Sequence, residues 1–118
     1  MADESLSQQL AGHYNVLHLE RVSVEIISTA KLHILDSTGC LLAGLRLEPG
    51  KLACDFATVN SGAAESPATI FGTGRRVAYL DAVQAMSVAA HCGEMDDIHS
   101  GAGICIGGMV VPALLAMA

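Results

Sequence analysis

From Val24 to Ala43 the apolar residues Val24, Ile27, Ile34, Leu35, Leu41 and Leu42 recur at helical spacing, and Ser23 stands where a hydroxyl would cap the first turn. This predicts a helix with one apolar face. Gly39 and Gly44 interrupt the run. Glycine inside a helix costs about 1 kcal/mol against alanine, so both positions predict close approach by another backbone. Arg46 to Pro67 is punctuated by Pro49, Gly50, Gly62 and Pro67 and reads as a connection with one short helix near Leu52 to Asn60. Ala68 to Val77 reads as a short extended segment around a glycine turn. A second helix is predicted over Leu80 to His91, which is rich in helix formers and has Asp81 in its first turn. A third starts near Gly108 or Pro112, since proline is tolerated in a first turn, and runs through ALLAMA.

That last helix has no polar face and no capping residue at its end. A helix that is apolar all round has to be covered by neighbours, and the helices upstream are too few to cover it alone. Residues 1–118 are therefore expected to be the amino-terminal part of a larger helical domain, or a subunit that hides this helix in a partner. Composition adds the fold class: 52% of residues are apolar but only 3% aromatic, so the core is built from Ala, Val, Leu, Ile and Met. Those residues favour helix on helix, an all-α fold with the short extended segment near 68–77.

Charge and cysteine usage narrow the function. A net charge of -6 with only six basic residues gives no footprint for nucleic acid. Gly101 to Ala118 is uncharged and close to spanning length, but its glycines, Pro112 and lack of basic or aromatic anchors predict a buried helix and no membrane partner. Cys40, Cys54, Cys92 and Cys105 form no CxxC pair, and MADESLSQQL is acidic and polar where a signal peptide is basic and then apolar. Free thiols and a cytoplasmic location are expected.

His91, Glu94, Asp96, Asp97 and His99 gather three carboxylates and two imidazoles in a linker between two apolar helices. Crowded carboxylates can push one pKa up and leave another ionised, so that one cluster supplies both an acid and a base. The plainer reading of the spacing is a solvated turn whose acids cap the following helix. No metal is expected, because His91 and His99 lack the spacing of HExxH and there is no second paired motif, and a zinc or iron site of His, Asp and Cys is kept only as a third, weaker reading. No cofactor is expected either: Gly101 to Gly108 echoes a dinucleotide fingerprint, but polar GEMDDIHS precedes it where a buried strand is required. Gly72-Thr73-Gly74-Arg75-Arg76 offers backbone amides and guanidinium forks to an anion, although a plain surface turn explains so short a GxG. Cys92 beside His91, and Cys105 beyond His99, are candidate thiols, and a buried cysteine is more often an apolar filler.

AKLHILDSTGCLLAG (Ala30 to Gly44), ATIFGTGRRV (Ala68 to Val77), AVQAMSVAAHCGEMDDIH (Ala82 to His99) and GGMVVPALLAMA (Gly107 to Ala118) together resemble the amino-terminal helical part of the MmgE/PrpD family. That family includes 2-methylcitrate dehydratase, cis-aconitate decarboxylase and iminodisuccinate epimerase. The resemblance implies a homo-oligomer that moves protons next to the carboxylates of small di- or tricarboxylates without a metal, in a site completed by a second, α/β domain. It implies catalytic roles for Asp96, Asp97, His99 and Glu94, with Cys105 at the position where many members carry a histidine; His91, Arg75 and Arg76 are expected to contact the substrate. Ile98 after the aspartate pair, often threonine in the family, and Met86-Ser87 ahead of the AAH block, where Asn-Gly is usual, are further departures. A thiol does not replace an imidazole in proton transfer, so the chain is expected to be catalytically poor by itself. The alternative is a non-catalytic helical module that self-associates or docks on a partner.

Overall fold

The computed structural model describes residues 4–62 and 67–118. Along the chain come α1 (Leu6–Asn15), a 3-10 turn (Leu19–Arg21), α2 (Val24–Gly44), α3 (Glu48–Ser61), β1 (Ala68–Thr69), β2 (Arg76–Val77), α4 (Tyr79–His91) and α5 (Ile106–Met117). The fold is mostly helical, as composition implies, with a two-stranded antiparallel hairpin in place of the extended segment. Residues 1–3, at the acidic start, and 63–66, within the connection read over Arg46 to Pro67, lie outside the described residues.

Two compact units divide within α2, 1–31 and 32–118. In the first, Ser5 and Gln8 form a reciprocal capping box that starts α1: Ser5 Oγ accepts from the Gln8 amide at 3.3 Å and Gln8 Oε1 accepts from the Ser5 amide at 2.9 Å. α1 buries none of its residues, which is why hydrophobic periodicity did not predict it. Ser23 Oγ accepts from the Ile26 amide at 3.3 Å and so caps α2 where the sequence places the cap.

The second unit holds the core. α4 packs against both α3 and α5, and the buried residues are mainly small: Ala57, Ala82, Ala85, Ala89, Ala90 and Ala116 around Leu41, Ile70, Val77 and Met86. Small side chains let backbones approach. A methyl group at Gly44 would fall on the Ala89 carbonyl oxygen, and one at Gly50 on the Gly44 carbonyl oxygen. Gly39, by contrast, has open space where a side chain would go, so the close approach predicted for both α2 glycines holds only at Gly44.

α3 is longer than the short helix expected. Pro49 sits at its very start, where a missing amide costs nothing, and Gly50 is needed for the contact with α2. Residues that read as helix breakers therefore begin the helix. α5 likewise starts at Ile106, ahead of the expected start, and carries Pro112 in its interior, where no amide is available for the Gly108 carbonyl. In the hairpin Ala68 faces Val77 and Thr69 faces Arg76, and Gly72 and Gly74 supply the positive φ of the turn, 82° and 71°. No helix is long and apolar enough to cross a membrane among the described residues.

Candidate active site

The acid-rich loop leaves the end of α4 and returns into the start of α5, so the two helices hold its ends. His91 is the last residue of α4 and Cys105 the N-cap of α5. Between them the chain folds back through an isolated antiparallel bridge, His99 opposite Ile104. The Asp96 side chain is 1% exposed, and both of its oxygens lie 3.0 Å from His91 Nδ1. With its proton on Nδ1 the imidazole donates to the carboxylate and keeps Nε2 as its basic nitrogen. Cys105 Sγ lies on the same side, within 4.8 Å of an oxygen of that carboxylate. One nitrogen of His91, one oxygen of Asp96 and Cys105 Sγ all fall within 4.8 Å of one another, so the three residues bring together imidazole, carboxylate and thiol ligand types.

Asp97 faces another way. Its Oδ1 accepts from the Gly107 amide at 2.8 Å, capping α5 from ten residues upstream, and its Oδ2 lies 3.6 Å from His33 Nδ1 on α2. The acids thus divide into a carboxylate turned to the cleft, Asp96, and one that fixes the helix behind it, Asp97. Two glycines make room for them. A methyl group at Gly108 would sit 2.7 Å from Asp96 Oδ2, and one at Gly107 would collide with Asp97 Oδ1 and with Ser37 Oγ. Ser37 Oγ is buried and has no hydrogen-bond partner among the described residues.

Above Asp96 opens a cleft of about 570 Å³ lined by Ser87, Val88, His91, Asp96, Cys105 and Met109 among others, mostly apolar. Its described lining includes no lysine or arginine. Burial first, and then the charge of Asp96, hold the Cys105 thiol above its ordinary range, so it stays protonated near neutral pH. Burial and the charges of Asp36, Asp96 and Asp97 do the same to Cys40 on α2.

Other residues singled out in the sequence lie elsewhere. His99 shapes the return turn: its amide donates to the Ile104 carbonyl at 2.8 Å and its Nδ1 accepts from the Ala102 amide at 3.1 Å. Glu94 is exposed with a φ of 50°, a turn position. Arg75 pairs with Asp55 at 2.6 Å in a separate pocket beside Thr73 and Cys54, and Arg76 lies on β2. The four cysteines are unpaired. Sequence reasoning passed over His33 and Ser37. Their signal is a polar stripe at i, i+4 and i+7 (His33, Ser37, Cys40) along an otherwise apolar helix.

The chain is thus a helical domain that presents a buried carboxylate, an imidazole and a thiol to an apolar cleft at the junction of two helices. The model of the MmgE/PrpD N-terminal domain matches residues 8–118, and the chain belongs to that family. No curated protein and no solved structure matches it significantly.

Proposed function

We propose that the cleft between α4 and α5 supplies the acid/base part of a site that moves a proton at a carbon next to a carboxylate in a small di- or tricarboxylate, in a dehydration, decarboxylation or epimerisation. The observation that carries this reading is the His91–Asp96 pair: a carboxylate 1% exposed, 3.0 Å from an imidazole that faces an open cleft. Asp96 orients the ring and stabilises the imidazolium that forms when Nε2 takes the proton. Asp97 holds α5 so that the positive end of the helix lies beside the cleft, where negative charge develops on the substrate. Cys105, whose thiol burial and the charge of Asp96 hold protonated, is not a nucleophile. The cations that grip the substrate carboxylates come from outside this cleft, since its described lining contains none.

The test is exchange of the methylene protons of 2-methylcitrate and citrate in heavy water, followed by proton NMR with the full chain. Exchange is expected to fall at least a hundredfold in Asp96→Asn and in His91→Gln. Exchange that survives Asp96→Asn, or none at all with the unaltered chain, sinks the reading.

The second reading, a helical module that associates with a copy of itself or another partner, is favoured by one observation. α5 leaves Met109, Leu114 and Met117 more than half exposed, and α2 does the same with Leu32 and Leu35. Sedimentation as a monomer with no binding of an apolar dye would remove it.

A further inference from the structure

His91, Asp96 and Cys105 come from the end of one helix, the middle of a loop and the cap of another helix, yet their potential ligand atoms lie within 4.8 Å of one another. We infer that these three residues bind a divalent transition metal of the zinc type, with the fourth position open to the cleft.

The donor set suits such an ion: thiolate and imidazole select zinc over the hard alkaline-earth cations, and three protein ligands with one free position is the arrangement of an ion that meets solvent or substrate. Ligand atoms around tetrahedral zinc sit roughly 3.5 Å apart, as follows from bond lengths of about 2.0–2.3 Å. The His91–Asp96 separation of 3.0 Å already lies near that, so closure is left to Cys105, at the very start of α5. Charge also favours it. The Asp96 carboxylate is taken almost completely out of water, its imidazole partner is 61% exposed, and the cleft lining has no fixed cation among the described residues. Carboxylate and thiolate together neutralise a divalent ion, and Asp97 adds a further negative charge behind the first turn of α5. Gly108 keeps that turn clear of Asp96.

Binding forms metal–sulfur, metal–nitrogen and metal–oxygen bonds. The Cys105 proton leaves to solvent, the neutral imidazole keeps its one proton on the nitrogen that does not bind, and no electron is transferred. The ion also turns an apolar cleft with a single carboxylate at its base into one that accepts the carboxylate of a small anion at its open position. Metal binding itself stands apart from the proton-transfer reading: cobalt bound without proton exchange would leave this inference standing and defeat that one, and exchange without cobalt binding the reverse.

The full chain is titrated with Co²⁺ in place of zinc, and the absorbance read for the thiolate-to-cobalt charge-transfer band. One equivalent is expected to give the band, Zn²⁺ to bleach it, Cys105→Ser to abolish it, and Cys40→Ser to leave it unchanged. Asp96→Asn is expected to weaken cobalt binding at least tenfold. Mass spectrometry of the alkylated, unaltered chain guards against a variant that fails to fold: Zn²⁺ should protect Cys105 and leave the labelling of Cys40, Cys54 and Cys92 unchanged. No band, a band that survives Cys105→Ser, or protection absent from Cys105 overturns the inference.

Discussion

Two buried carboxylates mark the two ends of α4, and they are held in opposite ways. Asp81, in the first turn, accepts from Asn60 Nδ2 at 2.7 Å and from Ser61 Oγ at 2.5 Å, and Ser61 in turn accepts from the Ala78 amide at 2.9 Å. Its donors do not change charge in the physiological range, and they tie α3 to the start of α4. Asp96, beyond the last turn, has an imidazole 3.0 Å away and a thiol within 4.8 Å, both of which can lose a proton, and it faces an open cleft. One acid is spent on structure. The other is kept where its partners can exchange protons or receive an ion.

The largest expected effect follows from that contrast. Asp81→Ala strands two donors at the α3–α4 junction and should cost about 2–3 kcal/mol in urea denaturation, whereas Asp96→Asn, with partners nearer solvent, should cost less than about 1 kcal/mol. Equal losses would mean that both acids are structural. Gly108→Ala probes the cleft end without removing a polar group. Its methyl group would press on Asp96 Oδ2 2.7 Å away, and the displacement, offset by better helix propensity, should leave a net loss of about 1 kcal/mol and a weaker cobalt complex. The smallest effect is kinetic. Because the Cys105 thiol is held above its ordinary pKa, its thiolate fraction at pH 8 is reduced, and alkylation by iodoacetamide should run several-fold slower than for a peptide thiol. The rate should rise with pH well past the range of a free thiol. Asp96→Asn should recover only part of the rate, since burial is the larger cause.

Legibility in the sequence followed the physics of each segment. α2 and α4 bury one face and have clear starts, so periodicity placed them within a residue or two of Val24–Gly44 and Tyr79–His91. α3 was shortened because Pro49 and Gly50 carry two opposite meanings, breaker and close contact, that only the Gly44 crossing resolves. α1 has a capping box but no buried face, a signal that exists at its first turn alone. At the site, composition drew attention to the loop from His91 to His99, while the division of labour inside it is a matter of direction. Asp96 and Asp97 are neighbours in sequence, and the turn sends one to His91 and the other to the Gly107 amide. Spacing does not encode such a split. It also gives no hint that Arg75 is taken by Asp55, twenty residues upstream.

The crossing of α2, α3 and α4 at Gly44, Gly50 and Ala89 also limits how this chain can drift over generations. Any heritable change at Gly44 or Gly50 adds at least a methyl group where there is only backbone, so lineages that keep the fold keep both glycines. Gly39, five positions from Gly44 on the same helix, is free to vary as far as packing among the described residues is concerned. A library of random variants should therefore return almost nothing but glycine at 44 and 50, and a broad spectrum, led by alanine, at 39.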